Sequence, residues 1–128
     1  MSYKVGDISS GSAPWTLERF VLDSGESPVR AFLEGLGGRD RVDALALLKL
    51  LAEQGNALKM PHSKPLGERL FELRAGPVRL FYAFRPGRRI VLLDGMVKKR
   101  QEIPPGVLTR VRRYLRALET AERQRGRT

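Results

Sequence analysis

The sequence predicts an α+β fold of two layers, with elements in the order β-α-α-β-β-β-α and a mainly antiparallel sheet. Two stretches with helical spacing of apolar residues follow one another in the first half of the chain. Three strand-like stretches, separated by links of hairpin length, come next. One more helical stretch follows Pro104-Pro105. We expect the helices to cover one face of the resulting meander.

The first half of the chain gives one strand and two helices. The strand runs from Trp15 to Leu22, where apolar and polar residues alternate. Ser27-Pro28 begins the first helix, because a hydroxyl caps a helix well and proline suits its first turn. That helix ends at Gly37-Gly38. The second runs from Asp40 to Gln54, and the side chains expected in its buried stripe are Val42, Leu45, Leu48 and Leu51 or Ala52, widened by Ala46 and Leu47.

The second half gives the meander and the last helix. Its strands are predicted over 64–74, 78–84 and 89–95, each bounded by glycine or proline. Arginines crowd the ends and turns of these strands, which indicates a face or rim that meets phosphate. The last helix runs from Pro105 to about Arg123 and buries Leu108, Val111, Leu115 and Leu118. Its arginines fall largely outside that stripe, and the sequence leaves open whether they bind rRNA, pair with an acidic partner or only keep the helix soluble.

Composition limits the function classes. A chain of 128 residues suffices for one domain, which we place at 15–123, with 1–14 as a flexible leader and 124–128 as a frayed basic tail. The chain has no cysteine and one histidine, His62, so disulfides and the usual zinc sites are excluded. No window approaches the length of a membrane span, and we expect a cytoplasmic protein with no membrane partner.

The charge is strongly lopsided along the chain. Residues 1–63 hold seven Lys and Arg against eight Asp and Glu, whereas residues 64–128 hold seventeen against six. Almost all of the net charge of +10 therefore lies in the second half. Such asymmetry favours a polyanionic partner, nucleic acid first, although a generically arginine-rich protein would show the same excess.

Five short motifs occur in a fixed order. They are Ser27-Pro28-Val29-Arg30 with Phe32-Leu33, Met60-Pro61-His62 with Lys64-Pro65-Leu66, Glu72-Leu73-Arg74, Arg79 with Phe81-Tyr82, and Lys98-Lys99 with Gln101 and Pro104. In this order they resemble the phage-derived, HigB-like branch of the RelE/ParE toxin superfamily, over roughly residues 15–118. The resemblance implies a RelE-like fold and the toxin of a type II toxin–antitoxin system.

The resemblance also implies an activity. RelE- and HigB-like toxins cut mRNA in the ribosomal A site without a metal, so the expected partners are mRNA, the ribosome with its rRNA, and a cognate helix-turn-helix antitoxin, with no cofactor. ParE-like members instead poison DNA gyrase without catalysis. A third alternative is an inactive remnant that binds RNA or its partner only. Asp94, where many relatives have histidine, and Glu102, where lysine is more usual, keep that alternative open.

Metal-free RNA cleavage needs a base for the 2′-hydroxyl, cations for the phosphorane and a proton for the leaving oxygen. Arg79 matches the family arginine that contacts the scissile phosphate, and Lys98 and Lys99 match its paired lysines. The catalytic set is completed by Arg74, which lies across the predicted hairpin, and by Glu72 and His62, which with a tyrosine are candidates for moving the proton. The expected RNA-binding residues are Lys64, Arg69, Arg85, Arg88, Arg89, Arg100, Tyr82 and Tyr114.

Each of these residues also has a plain structural role open to it. Arg79 suits an ion pair with Glu72 or Asp94, and the two lysines suit a solvated loop. Tyr82 and Tyr114 alternate with apolar residues and so fit the core as well as a platform for stacking a base. A lone loop histidine is most often inert.

Overall fold

In a computed structural model of the protein, residues 4–7 and 13–126 are described, and of residues 4–7 only the backbone. The strands and helices in chain order are β1 Lys4–Asp7, β2 Thr16–Val21, α1 Pro28–Gly35, α2 Gly38–Gln54, a short 3-10 helix Gly55–Ala57, β3 Ser63–Gly67, β4 Leu70–Ala75, β5 Val78–Arg85, β6 Arg89–Val97 and α3 Pro105–Arg125. The predicted α+β class is confirmed and each predicted helix and strand region is found, but the described residues form two strands more than predicted.

The strands form a six-stranded sheet in the order β1-β2-β6-β5-β4-β3. All neighbours are antiparallel except β2 and β6, which pair in parallel. Along the sequence, α1, α2 and β3 to β5 come between β2 and β6, although these two strands are neighbours in the sheet. This pairing joins β2 to β6, the last strand of the meander, and the sheet is mainly antiparallel, as predicted.

The stretch predicted as one strand over 64–74 is two strands. Glu68 and Arg69 take positive φ values of 51° and 68°, and the chain reverses between β3 and β4 at these two residues. Two residues with positive φ are what a two-residue hairpin turn requires. Neither glycine nor asparagine, the usual residues of such a turn, occupies these two positions, so the turn was not predicted.

The predicted ends of the domain also change. Residues 4–7, inside the stretch expected to be a flexible leader, pair antiparallel with β2 at the edge of the sheet. The rest of that stretch up to residue 12 lies outside the described residues. At the other end, α3 continues to Arg125, so 124 and 125 are helical where a frayed tail was expected.

Helices cover both faces of the sheet, so the expectation of two layers is wrong. One core lies between the sheet and α1 with α2, and it includes Leu80 and Tyr82. A second core lies between the sheet and α3, and it includes Phe81 and Ala83. Successive residues of β5 are apolar, and a strand that is apolar on both faces needs cover on both sides.

The helix that differs most from its predicted stripe is α2. Its buried residues are Ala44, Leu48, Leu51 and Ala52, whereas the expected Val42 and Leu45 are 66% and 49% exposed. The predicted cap of α1 is confirmed, because the Ser27 hydroxyl accepts a hydrogen bond from the Arg30 N–H at 3.3 Å. In the described part of the chain, no helix has both the length and the apolar character needed to cross a bilayer.

Candidate functional site

Polar side chains gather on the α3-facing side of the sheet, at the end nearest the start of α3. Register places Lys64, Glu72, Phe81 and Asp94 in one row across β3, β4, β5 and β6. The adjacent row on the same face contains Arg74, Arg79 and Met96. His62 lies beside Arg74, because the backbone N–H of Arg74 donates a hydrogen bond to the backbone carbonyl of His62 at 2.8 Å. Residues two apart on a strand share a face, so the two rows form one surface.

We call Lys64, Glu72, Arg74 and Arg79 the cationic cluster. The carboxylate of Glu72 lies at its centre, and Glu72 is buried, with 2% of the residue exposed. Its Oε1 lies 3.4 Å from Arg74 Nε and 3.8 Å from Arg79 Nε. Its Oε2 is buried without a hydrogen-bond partner in the described part of the chain. The carboxylate is therefore held by electrostatic attraction to two guanidinium groups, with half of its hydrogen-bonding capacity unused.

Arg79 is more deeply buried than a surface arginine, at 7% exposure. Its Nη1 donates to the carbonyls of Gly76 and Val78, at 2.6 and 3.1 Å, and its Nε is buried with no hydrogen-bond partner among the described residues. Burial lowers the pKa of Arg79, and the nearby Arg74 charge lowers it further, while Glu72 acts in the opposite direction. Arg79 thus carries a poorly compensated positive charge.

Arg74 and Arg79 are directly opposite each other in the β4–β5 pairing. Like charges at opposed positions destabilise a sheet. Among the described residues, Glu72 is the only ion-pair partner of either guanidinium group. A second anion placed between them would remove that repulsion, and a phosphate matches guanidinium groups in charge and in hydrogen-bonding geometry. The prediction that Arg74 and Arg79 lie close across the hairpin is confirmed.

The paired lysines follow β6 at the same end of the sheet. The Lys98 N–H donates to the Pro77 carbonyl at 2.7 Å, which continues the β5–β6 pairing one residue beyond Val97. Lys98 is half-buried there, and Lys99 and Arg100 are exposed in the loop that leads to α3. The structure thus places Lys98 next to the β4–β5 turn, whose Gly76 carbonyl accepts from Arg79.

Sequence reasoning missed one pair in this region. Asp94 is buried, and its Oδ1 accepts the Gly95 N–H at 2.8 Å. Its Oδ2 accepts a hydrogen bond from Arg110 Nε at 3.1 Å. The pair joins β6 to α3, so no local pattern signals it. Asp94 therefore pairs with Arg110, which was expected to be a solvated arginine of the last helix. Of the two carboxylates considered for Arg79, Glu72 and not Asp94 is its partner.

Three arginines predicted to bind RNA lie at the opposite end of the sheet. Arg69 donates to Glu119 at 2.6 Å, and the Arg89 guanidinium bridges Glu18 at 2.6 Å and Glu122 at 2.5 Å. Arg85 donates to Glu122 at 2.5 Å. These contacts tie α3 to the β5–β6 hairpin and to β2. Arg88 is exposed in that hairpin turn. The structure does not bring this group to the cationic cluster.

The two tyrosines are held by ring and hydroxyl contacts with residues outside the cluster. Tyr82 is fully buried on the opposite face, where its hydroxyl shares a hydrogen bond with the Ser63 hydroxyl and its ring stacks on Phe71 at 5.6 Å. A ring with no exposed surface cannot stack on a base, which corrects its assignment to the RNA-binding set. Tyr114 is half-buried and stacks on Phe20 at 5.2 Å. Burial, and to a lesser extent the Asp94 charge, raises the pKa of Tyr114.

Among the described residues, no group of three or more His, Cys, Asp or Glu side chains is arranged to hold a metal ion. The cluster itself offers guanidinium, ammonium and carboxylate groups, and the exposed His62 lies beside it next to Arg74.

Comparison with known proteins places this geometry in context. The model of one protein family, described as Phage derived protein Gp49-like (DUF891), matches residues 31–125. The matched span contains every residue of the cationic cluster. A comparison with curated proteins gives no match.

Proposed function

Because the chain belongs to the Gp49-like family of phage-derived, RelE-like toxins, we propose that it is a ribosome-dependent mRNA endoribonuclease. The family suggests the toxin of a toxin–antitoxin pair. In this proposal the toxin is of the HigB-like type and works without a metal in the ribosomal A site. Its further partners are rRNA and a helix-turn-helix antitoxin, and its place of action is the cytoplasm.

The observation that carries the proposal is the opposed pair Arg74 and Arg79 around one carboxylate. A structural ion pair would match the charges, whereas here two cations share Glu72, and Arg79 Nε has no hydrogen-bond partner among the described residues. The scissile phosphate would supply the missing anion beside Arg74, whose side chain is partly exposed. Because Arg79 is already buried and oriented by two carbonyls, little reorganisation accompanies the reaction.

In the reaction that we propose, the 2′ oxygen attacks the adjacent phosphorus. The 2′-hydroxyl proton passes to a base, a 2′ O–P bond forms and the P–O5′ bond breaks. The leaving 5′ oxygen takes a proton from water, and the resulting hydroxide removes the proton from the base. Arg79 and Arg74, with Lys98 and Lys99, stabilise the charge on the phosphorane. The products are a 2′,3′-cyclic phosphate and a 5′-hydroxyl.

The surroundings of the candidate bases favour His62 as the proton acceptor. Glu72 is nearly inaccessible and faces two guanidinium groups, so its role is to position Arg74 and Arg79. Tyr82 is on the other face of the sheet and fully buried. His62 is exposed beside Arg74, and neutral imidazole is an effective base near neutral pH.

The test is a reconstituted bacterial translation system programmed with one mRNA, in which new 5′ ends and cyclic phosphates are mapped. We expect Arg79→Gln to slow cleavage by about a hundredfold or more, the effect of removing one donor to a developing oxyanion. Arg39→Gln, which removes an exposed arginine on α2, is the matched control and should cleave like the wild type.

Other outcomes would assign other functions. The protein is also expressed in bacterial cells. Growth arrest of these cells with intact mRNA would contradict the nuclease activity and point to gyrase as the target. Normal growth in the presence of soluble protein would leave an inactive remnant of the fold.

A further inference from the structure

On the face of the sheet opposite to the cationic cluster, α1, α2 and β2 enclose a groove of about 590 Å³. Apolar side chains from all three elements line it, among them Leu17, Val29, Leu33, Leu45 and Leu48. The lining of α2 consists of residues 41, 45, 48, 49, 52 and 53, which lie along one side of that helix. The groove therefore follows the helix axis and has the shape of a seat for an elongated segment.

The groove is bordered by apolar surface that the core does not use. Leu45 lines it and is 49% exposed, and Val42, three residues earlier on α2, is 66% exposed. Apolar residues of α2 thus extend beyond the side that packs on the sheet. Together with Met60, these are the only large hydrophobic side chains that are strongly exposed in the described part of the chain. Leu45 lines the groove and Val42 lies about one turn away on the same helix, and exposed apolar side chains beside a groove are typical of an interaction surface.

The charged residues of the groove are mainly unpaired cations. Arg19, Arg41 and Lys49 line it and form no ion pair with any described side chain. Arg30 also lines it, but its charge is matched by Glu34 at 2.7 Å. Glu53 is the remaining acidic residue of the lining. The rim thus presents more positive than negative charge and is complementary to an acidic partner.

We propose that this groove binds an acidic amphipathic helix of a separate protein. Leucine-like side chains at i, i+3 or i+4 and i+7 of that helix enter the apolar floor beside Leu45, and flanking carboxylates meet Arg19, Arg41 and Lys49. The cationic cluster lies on the other face of the sheet, so the helix binds without covering it. The proposal holds independently of whether the cluster cleaves RNA.

The probe is a synthetic peptide of about 18 residues, with leucines at helical spacing and glutamates on the remaining face. A scrambled peptide of the same composition is its control. Both are titrated into the isotope-labelled full chain, with affinity and the perturbed backbone amides followed by NMR. We expect the amphipathic peptide to perturb amides of α1, α2 and β2 and to leave those of Arg74 and Arg79 unchanged.

Two variants, Leu45→Glu and Arg41→Glu, test the groove residues, and a third, Met60→Glu, is their control. Leu45→Glu should weaken binding by about tenfold or more, because it replaces apolar contact area and adds a repelling charge. Met60→Glu changes the net charge equally at an exposed apolar residue outside the groove, and it should bind like the wild type. Arg41→Glu alters only an exposed rim charge, so it reports on the groove even if Leu45→Glu folds poorly.

The proposal would be overturned by equal affinity for the two peptides, by unchanged affinity of both Leu45→Glu and Arg41→Glu, or by perturbations centred on the cationic cluster. It would also be overturned if the peptide did not bind and Leu45→Glu converted a dimer into a monomer in sedimentation. In that case the groove is a contact between two copies of this chain.

Discussion

Replacing Glu72 by glutamine removes the negative charge that Arg74 and Arg79 share. Glu72 is 2% exposed, and its Oε1 is within 3.8 Å of both guanidinium groups. Removing one partner of a buried ion pair costs about 3–5 kcal/mol, because the other charge stays buried without compensation. Arg74 is partly exposed and keeps some hydration, so we take the lower end, about 3 kcal/mol. For a domain of this size the melting temperature would fall by about 10 °C.

Inorganic phosphate should reverse part of this loss. In Glu72→Gln the two guanidinium groups face no carboxylate, so their affinity for an anion rises. An anion at ten times its Kd adds about 1.4 kcal/mol of stability. Urea unfolding is measured in phosphate and in chloride at equal ionic strength, which keeps general screening the same. Glu53→Gln, which changes an exposed carboxylate, should remain within about 0.5 kcal/mol of the wild type in both salts.

Two results would refute this reasoning. If Glu72→Gln unfolds at the wild-type urea concentration, Glu72 does not hold the arginines together. If phosphate and chloride stabilise the variant equally, the arginines do not form an anion site, and the proposed binding of the scissile phosphate loses its support.

Two further predictions concern the fold. Gly55→Ala should lower the free energy of unfolding by about 3 kcal/mol, because Gly55 has φ +53° and an added Cβ would lie 2.0 Å from Trp15 Nε1; an unchanged urea midpoint would contradict this. Burial favours a raised pKa for Glu122, but hydrogen bonds from Arg89 and Arg85 outweigh it and hold the pKa below its usual value of about 4.3. The stability from this ionised group is therefore present above about pH 4.3 and lost as the pH falls through the lower pKa of the folded state. In acid unfolding, Glu122→Gln should lose less stability than the wild type as the pH falls. An equal loss of stability in both proteins would show that the Glu122 carboxylate contributes nothing.

Much of the candidate site follows from sequence and pairing rules. Alternation places Arg79 with Phe81 on one face, and a short link after Arg74 brings the two arginines together, as the structure confirms. The partners of other charged residues could not be predicted in this way. Arg85 and Arg89 find Glu119 and Glu122 on α3, more than thirty residues away, and no local pattern encodes such a contact.

Four features depend on short-range spacing or composition and could be predicted from the amino-acid sequence. They are the α+β class, the cap of α1, the buried stripe of α3 and the excess of positive charge in the second half. The packing of the folded chain, in contrast, sets the parallel pairing of β2 with β6 and the position of α3 on the face opposite to α1 and α2. It also decided that Arg85 and Arg89 pair with Glu122 on α3, whereas Arg74 and Arg79 share Glu72. Those outcomes depend on which distant surfaces pack together, and an apolar or charged residue has no partner until the chain has folded.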